Sequence, residues 1–462
     1  MPADPAAAVL VGGGRRVHVV GIGGAGMSAI ATVLAAMGNR VTGSDLVGSP
    51  VTDRLVIQGI AVAVGHRAEQ VAGADLVTAS PAVRDDNVEL VEAHRLGIPV
   101  LARSEVMAAI ARTRRCVAVA GTHGKTTTSS MLALALGAAG MRPSFLIGAD
   151  VGDLDTNGVF DNGPWMVIEA DESYGTFAAL TPEMTVLTSV EADHLDHYGT
   201  LEALRDAFGH LLGATTGVCL VGADDPGAAA LGRAAGSLLV GEAAGAAYRV
   251  HDLVLGRSSI RFDLDGPTGR LGRVSVPVPG RHNAANAALA AAAALEIGAE
   301  FAAVEAALAR FAGVPRRFEF RGQSAAVTFV DDYGHLPSEV AATLATARHG
   351  GFNRVVAVFQ PHRYTRTAAL SKQFAHAFDD ADVVVVTDVY SAGEHPIPGV
   401  SGRLVADAVT GANPGLEVHY APTRDELRRT VVALLEAGDV CVTLGAGDLT
   451  TLPDEIQEDL AR

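Results

Sequence analysis

Two glycine-rich turns carry the clearest chemical signals in this sequence. The more specific is Val119-Ala120-Gly121-Thr122-His123-Gly124-Lys125-Thr126-Thr127-Thr128. An apolar run enters it and a helical pattern leaves it. In that setting Gly-x-x-Gly-Lys-Thr forms a nest of backbone N–H groups around phosphate. Lys125 is then placed to bridge the β- and γ-phosphates, and the Thr126 hydroxyl to bind Mg²⁺. The strict form of the loop has glycine where Val119 stands. ATP binding is the expectation here, rather than a chance Gly-Lys-Thr turn. The other turn is Gly21-Ile22-Gly23-Gly24-Ala25-Gly26-Met27-Ser28. Glycines let backbone approach a phosphate, and a helix N-terminus favours the negative charge. Asp45 ends the next strand, where it could take a ribose hydroxyl. This turn alone does not say which nucleotide binds.

Acids follow two further apolar runs, as Glu169-Ala170-Asp171-Glu172 and as Glu191-Ala192-Asp193-His194-Leu195-Asp196-His197. Carboxylates at strand ends beside a phosphate loop suit Mg²⁺, which takes oxygen ligands, waters and phosphates; histidine is a less usual ligand for it. Asn283, in Gly280-Arg281-His282-Asn283, caps an alanine-rich helix or reads a base edge. Arg316-Arg317 follows a Gly-Val-Pro link and is either solvated or a clamp on a γ-phosphate. Three polar loops complete the set: Asp331-Asp332-Tyr333-Gly334-His335, Gln360 to Arg366 and Tyr390 to Glu394. Arginine and histidine beside tyrosine suit a small zwitterion, with guanidinium for its carboxylate. Ordinary loop polarity explains these residues equally well.

The elements that must hold these residues alternate short β-branched runs with Ala/Leu-rich stretches. That alternation predicts βαβ units and mostly parallel sheets. Strand candidates are RRVHVVG, RVTGSD, ADLVTAS, RCVAVAG, PWMVIEA, MTVLTSV, GVCLVG, NRVVAVF, ADVVVVTDVY and DVCVTLGAG. Three segments begin afresh, near Val17, Cys116 and Gly313, the last with its first strand at about Ala326. For 462 residues, domains of about 150 residues predict the same number. The expected bounds are 1–111, 112–312 and 313–462. A net charge of −17 argues against a nucleic-acid binder. Cys116, Cys219 and Cys441 each sit in an apolar run and read as small buried hydrophobes in a reducing cytosol. The N-terminus lacks the basic region of an export signal, and the apolar stretch around 284–295 is too short to span a bilayer. A cytoplasmic protein with no membrane insertion is expected.

GIGGAGMS, GTHGKTTT, EADES, ADHLDHYG, GRHNAANA, GVPRRFE, DDYGH-P and FQPHRYTRT, in this order, resemble the Mur ligases over nearly the whole chain. The resemblance implies three α/β domains: N-terminal Rossmann-like, central P-loop ATPase-like with a mostly parallel sheet, and C-terminal Rossmann-like. It implies an ATP-dependent ligase that joins L-alanine to UDP-N-acetylmuramate through an acyl phosphate. Its catalytic residues would be Lys125, Glu169, His194 and Arg317, with Thr126, Glu169 and His194 on Mg²⁺. ATP would meet Gly121, Thr122, His123, Gly124, Lys125, Thr126 and Thr127, with Asn283 near adenine, Asp332 near the ribose and Arg317 near the phosphates. The UDP-sugar would meet Gly21, Gly23, Gly24, Ala25, Gly26, Met27, Ser28, Asp45 and Ser80. The amino acid would meet Tyr333, His362, Arg363 and Arg366. The expected state is a monomer or weak homodimer. Two departures stand out. Sister ligases carry a carbamylated lysine where counting places Phe208, which implies no carbamate here. Leu336 stands where the family usually has a second histidine after DDYGH. Two rival classes use the same turns: a nicotinamide oxidoreductase, which leaves the second phosphate loop unexplained, and a non-catalytic nucleotide-gated binding protein.

Overall fold

The computed structural model describes residues 13–154 and 156–461. The stretch read for an export signal lies outside them in its first twelve residues. The chain divides into two compact units. One takes residues up to 252, 262–274 and 285–311; the other takes 253–261, 275–284 and 312 onward. Three sheets are present among the described residues. The first two belong to the first unit, but for the tips of the last strands of the second sheet, and the third belongs to the other unit.

The first sheet contains β1 (Arg16–Val20), β2 (Arg40–Asp45), β3 (Ala61–Val64), β4 (Leu76–Ala79) and β5 (Val100–Ala102). Their order is β3-β2-β1-β4-β5, parallel throughout. Order reverses on either side of β1, so the crevice beyond its C-terminal end is where such sheets bind ligands. Val17 and Val19 face the core under the helix Ala25–Ala36, and Val20 faces the opposite cluster with Leu90. His18 also points inward. It belongs to a buried polar group centred on Glu89, whose carboxylate takes hydrogen bonds from His18 Nε2 at 2.7 Å, His66 Nδ1 at 2.8 Å and Ser44 Oγ at 2.9 Å. Ser44 precedes Asp45, so this group braces the strand end on which the first glycine turn rests.

The second sheet contains β6 (Arg115–Ala120), β7 (Ser144–Val151), β8 (Thr156–Val159), β9 (Trp165–Glu169), β10 (Met184–Leu187), β11 (Val218–Gly222), β12 (Leu238–Gly241), β13 (Tyr248–Leu255), β14 (Ile260–Gly266) and β15 (Gly269–Val276). Its order is β15-β14-β13-β12-β11-β10-β6-β9-β7-β8. β6 sits between β9 and β10, all parallel, which brings the ends of EADES and of the Asp-His loop beside the phosphate loop. The β7–β8 hairpin packs on the helix Ala25–Ala36. Asn157 Nδ2 donates to Ala25 O at 2.8 Å and to Ser28 Oγ at 3.0 Å. Gly158 lies so close that a Cβ there would stand 2.7 Å from Ala29 O. Phe208 is fully buried and stacks on Phe177.

The third sheet contains β16 (Glu319–Ser324), β17 (Val327–Asp332), β18 (Val355–Phe359), β19 (Val383–Val386), β20 (Glu417–Tyr420) and β21 (Val440–Leu444), in the order β16-β17-β21-β18-β19-β20. β16 is antiparallel to β17 and parallel pairing prevails elsewhere. This corrects the expected start: the sheet opens at Glu319, because polar EFRGQS is a half-exposed edge rather than an apolar run. A second correction concerns the cysteines. Cys116 and Cys441 are buried, but Cys219 is only partly so. The alanine-rich stretch forms the packed helix Arg281–Ile297, and among the described residues no helix is long and apolar enough to cross a membrane.

Burial raises the Glu89 pKa, but the hydrogen bonds from His18, Ser44 and His66 outweigh it and hold it below the ordinary 4.5. A depressed carboxylate contributes stability that is present above the ordinary value and lost as pH falls through the folded one. Glu89→Gln should therefore cost about 1–3 kcal/mol at pH 7. The gap to the parent should close as pH drops below 4.5. Urea denaturation at several pH values checks this.

Candidate active site

The phosphate loop joins β6 to the helix Lys125–Ala138. Its hinge is Gly124, which at φ 78° is left-handed. A side chain there would also strike Asn286, whose Oδ1 would lie 2.3 Å from a Cβ. Asn286 accepts from Thr128 Oγ1 at 3.3 Å and so packs the Arg281–Ile297 helix on the loop. The loop is not an open nest throughout. Thr122 N–H donates to Ser189 O and His123 N–H to Ser189 Oγ, both at 2.9 Å. His123 Nε2 lies 3.2 Å from Glu191 Oε2, and Thr127 is buried. What remains for a phosphate is the start of the helix, whose first N–H groups have no intrahelical acceptor.

Lys125 turns back into the loop. Its Nζ donates to Gly121 O at 2.6 Å, Thr122 O at 3.2 Å, and Glu172 Oε2 and Oε1 at 2.7 and 2.9 Å. Burial works against this charge, but the carboxylates of Glu172, Asp171 and Glu169 outweigh it and raise its pKa. Glu172 is 1% exposed. Burial pushes its carboxyl up to about 7, while Lys125 pulls the other way. Burial also raises Asp171, but Lys125, Ser173 and Arg103 outweigh it and leave it lowered.

The three expected magnesium ligands fall into two sets. Thr126 Oγ1 donates to Glu169 Oε1 at 2.9 Å, and the other Glu169 oxygen accepts from Gly148 N–H at 2.6 Å. His194, left-handed at φ 51°, has Nε2 3.4 Å from Asp193 and 3.9 Å from Glu172. Asp171, Glu172 and His194 offer ligand atoms within 4.8 Å of one another. The hydroxyl and the carboxylates are the hard oxygen donors that Mg²⁺ takes, so these oxygens fit that ion, with His194 as a less usual nitrogen donor beside them.

The first glycine turn caps β1. Gly21 is left-handed at φ 76° and abuts Ser80. Gly23 N–H donates to Asp45 Oδ2 at 2.8 Å, so Asp45 already holds its own turn. Met27 and Ser28 are buried, and Ser28 Oγ donates to Ala25 O. Gly24 is extended at the N-cap, without a side-chain cap, and the helix begins at Ala25.

In the other unit, Arg316 and Arg317 both lie 5.0 Å from the Tyr333 ring. Their roles divide. Arg316 donates to Gly445 O at 2.6 Å and is structural, while Arg317 approaches Glu339 at 3.7 Å. Asp332 accepts from Phe318 and Gly334 N–H, and burial pushes its carboxyl up to about 6 against the pull of Arg317. Rings line up as Tyr333, His335, His362 and Tyr390. Arg366 donates to His362 Nδ1 at 2.9 Å, which puts the imidazole proton on Nε2. Arg363 is left-handed at φ 66° and its N–H donates to Tyr390 O. Asn283 differs from the cap expectation: it lies inside its helix and its amide donates back to Pro279 O at 2.7 Å. Leu336 is buried just before the helix Pro337–His349.

Sequence reasoning did not assign Glu172, Asp171, Asn286, Arg103, His335 or Tyr390. Glu172 and Asp171 stood in a quoted motif, and Asn286 lies three residues past Asn283 on the same helix face. Arg103 carried no signal, because it begins a separate helix far along the chain.

A glycine-rich turn on one sheet and a lysine-bearing Gly-x-x-Gly-Lys-Thr loop with paired carboxylates on the next suit phosphate chemistry, and the chain belongs to the Mur ligase family. Three family models match: Mur ligase family, catalytic domain, over 16–115; Mur ligase middle domain, over 119–294; and Mur ligase, glutamate ligase domain, over 316–447. The UDP-N-acetylmuramate–L-alanine ligase of Kineococcus radiotolerans is 47% identical over 457 residues, 96% of each chain. That of Syntrophotalea carbinolica is 42% identical over 448 residues, 96% of this chain and 98% of the other. The crystal structure of UDP-N-acetylmuramate-alanine ligase MurC from Thermotoga maritima gives a TM-score of 0.82 at 31% identity, covering 97% of this chain and 99% of that one. The chain is accordingly a three-domain α/β protein of mostly parallel sheets.

Gly124→Ala should cost about 1–2 kcal/mol from backbone handedness alone, plus the clash with Asn286. Adding Asn286→Ala should remove the second part only. Denaturation midpoints of the two single variants and the double variant check this.

Proposed function

We propose that this chain joins L-alanine to the lactyl carboxylate of UDP-N-acetylmuramate, consuming ATP with Mg²⁺ and forming ADP, in cytoplasmic synthesis of peptidoglycan precursors. The observation that carries the reading is the phosphate loop. There Lys125 is held among carboxylates at the end of β6, and Thr126 is hydrogen-bonded to Glu169. Identity of 42–47% to two alanine ligases over nearly the whole chain supports the substrate pair.

The lactyl carboxylate attacks the γ-phosphorus and ADP leaves. The alanine amine, having lost its ammonium proton, attacks the carbonyl carbon of the acyl phosphate and phosphate leaves. The protein supplies position and charge rather than a nucleophile. Lys125 and Arg317 counter the charge of the transferring phosphoryl group. Gly121, Thr122, His123, Gly124, Thr126 and Thr127 shape the phosphate cradle, with Asn283 toward adenine and Asp332 toward the ribose. Thr126, Glu169 and His194 would hold Mg²⁺, which when bound neutralises phosphate oxygens. Gly21, Gly23, Gly24, Ala25, Gly26, Met27, Ser28, Asp45 and Ser80 form the UDP-sugar site, mostly through backbone. Tyr333, His362, Arg363 and Arg366 receive the amino acid. The domains run 1–111, 112–312 and 313–462, in a monomer or weak homodimer with no nucleic-acid or membrane partner.

The test is phosphate release across the twenty amino acids, with and without UDP-N-acetylmuramate. Release should require the sugar nucleotide and be greatest with L-alanine; release independent of both would overturn the reading. Lys125→Ala should lose about 3 kcal/mol or more of transition-state stabilisation while staying folded, read as kcat/KM against a thermal melt. Arg363→Ala should raise the KM for alanine by roughly ten- to a hundredfold. A carboxylate contact made in both ground and transition states appears in KM rather than kcat. Varying each substrate in turn checks this, with KM for ATP and UDP-sugar held within a few-fold.

A further inference from the structure

The first glycine turn contains no lysine or arginine between Gly21 and Ser28. Free N–H groups and the helix dipole attract a diphosphate, and a guanidinium beside them adds the stronger, charge-assisted bidentate contact. Arg103 occupies the place such a cation needs. It follows β5 and begins the helix Arg103–Ala111, on the C-terminal side of the first sheet where the glycine turn also lies. Its guanidinium lies flat against Gly26. A Cβ on Gly26 would stand 2.6 Å from Nη2, 2.7 Å from Cζ and 3.1 Å from Nε. Glycine at position 26 therefore serves the arginine as well as the turn.

The guanidinium is under-used by the protein. Its side chain is 18% exposed, and Nη1 is 3.8 Å from Asp171 Oδ2, too long for a hydrogen bond. Nε is buried and has no hydrogen-bond partner among the described residues. A planar fork of five N–H donors, held at a phosphate turn with one distant counter-charge, matches the paired oxygens of a diphosphate.

We propose that Arg103 binds the diphosphate of the sugar nucleotide and supplies the positive charge that the first turn lacks. This rests on the assignment of that turn to a UDP-sugar. It adds a substrate contact from outside the glycine motif.

The experiment measures, by calorimetry on the full chain, the affinities of uridine, UDP, UDP-N-acetylglucosamine and UDP-N-acetylmuramate. Arg103→Met should weaken the three diphosphates alike, by roughly ten- to a hundredfold, the effect of one lost charge-assisted contact. It should leave uridine and Mg²⁺–ADP within twofold. Arg103→Lys should recover part of the loss, since charge returns without the fork. Gly26→Ala, which pushes the guanidinium aside while keeping the arginine, should weaken the same three ligands. Unchanged binding of all three by folded Arg103→Met would falsify the assignment. Weakening of UDP-N-acetylmuramate alone overturns it in favour of the lactyl carboxylate. A loss shared equally by ADP and matched by a lower melting temperature overturns it in favour of a structural role. A parent that binds none of the uridine diphosphates sinks the UDP-sugar reading, and this assignment with it.

Discussion

A lysine ammonium drawn into the end of a parallel sheet must be answered by negative charge, and much of the central domain is arranged around that requirement. Burying an unpaired charge is prohibitive, whereas a charge with good partners can be held. Lys125 receives its partners from the neighbouring strand: β9 ends in Glu169, and Asp171 and Glu172 follow at once. Two loop carbonyls complete the set. The ion pair thereby fixes the conformation of the loop, and Thr126, one residue on, is brought to Glu169 as a result. Gly148 makes room for that carboxylate, since a Cβ there would stand 2.8 Å from it.

The third sheet solves a different problem with different means. Its cations are held against rings as well as acids. Arg316 and Arg317 flank Tyr333, and Arg366 fixes the tautomer of His362. Stacked rings orient planar groups without spending the guanidinium hydrogen bonds, which leaves donors in a defined direction. Adjacent arginines that look alike in sequence thus divide. Arg316, left-handed at φ 59°, ties the loop to the carbonyl of Gly445.

Much of this is legible in the sequence. All ten short runs named as strands contain a strand, and many of them are legible because parallel strands covered on both faces are apolar along their length. The phosphate loop was legible because its chemistry is contiguous. Among the strands that escaped, β15 and β16 are half in water, and their alternation is broken by arginine and glycine. Residues brought together from distant positions escaped as well. The pairing of Lys125 with Glu172, 47 residues away, needs the order of strands in the sheet, which no local pattern encodes. Of the two readings of Asn283 the cap fails, although an asparagine near a helix start is usually its cap, because the residue lies inside the helix and its amide turns back to Pro279 O.

The close seat of the β7–β8 hairpin on the helix Ala25–Ala36 bears on how such a chain can be recombined. Gly158 touches the backbone of Ala29, and Asn157 bonds to Ala25 and Ser28, so the fit is atomic and carries no slack. The first hundred residues cannot be exchanged for those of a distant relative without their partner hairpin. A productive crossover keeps the first two sheets together and falls after them.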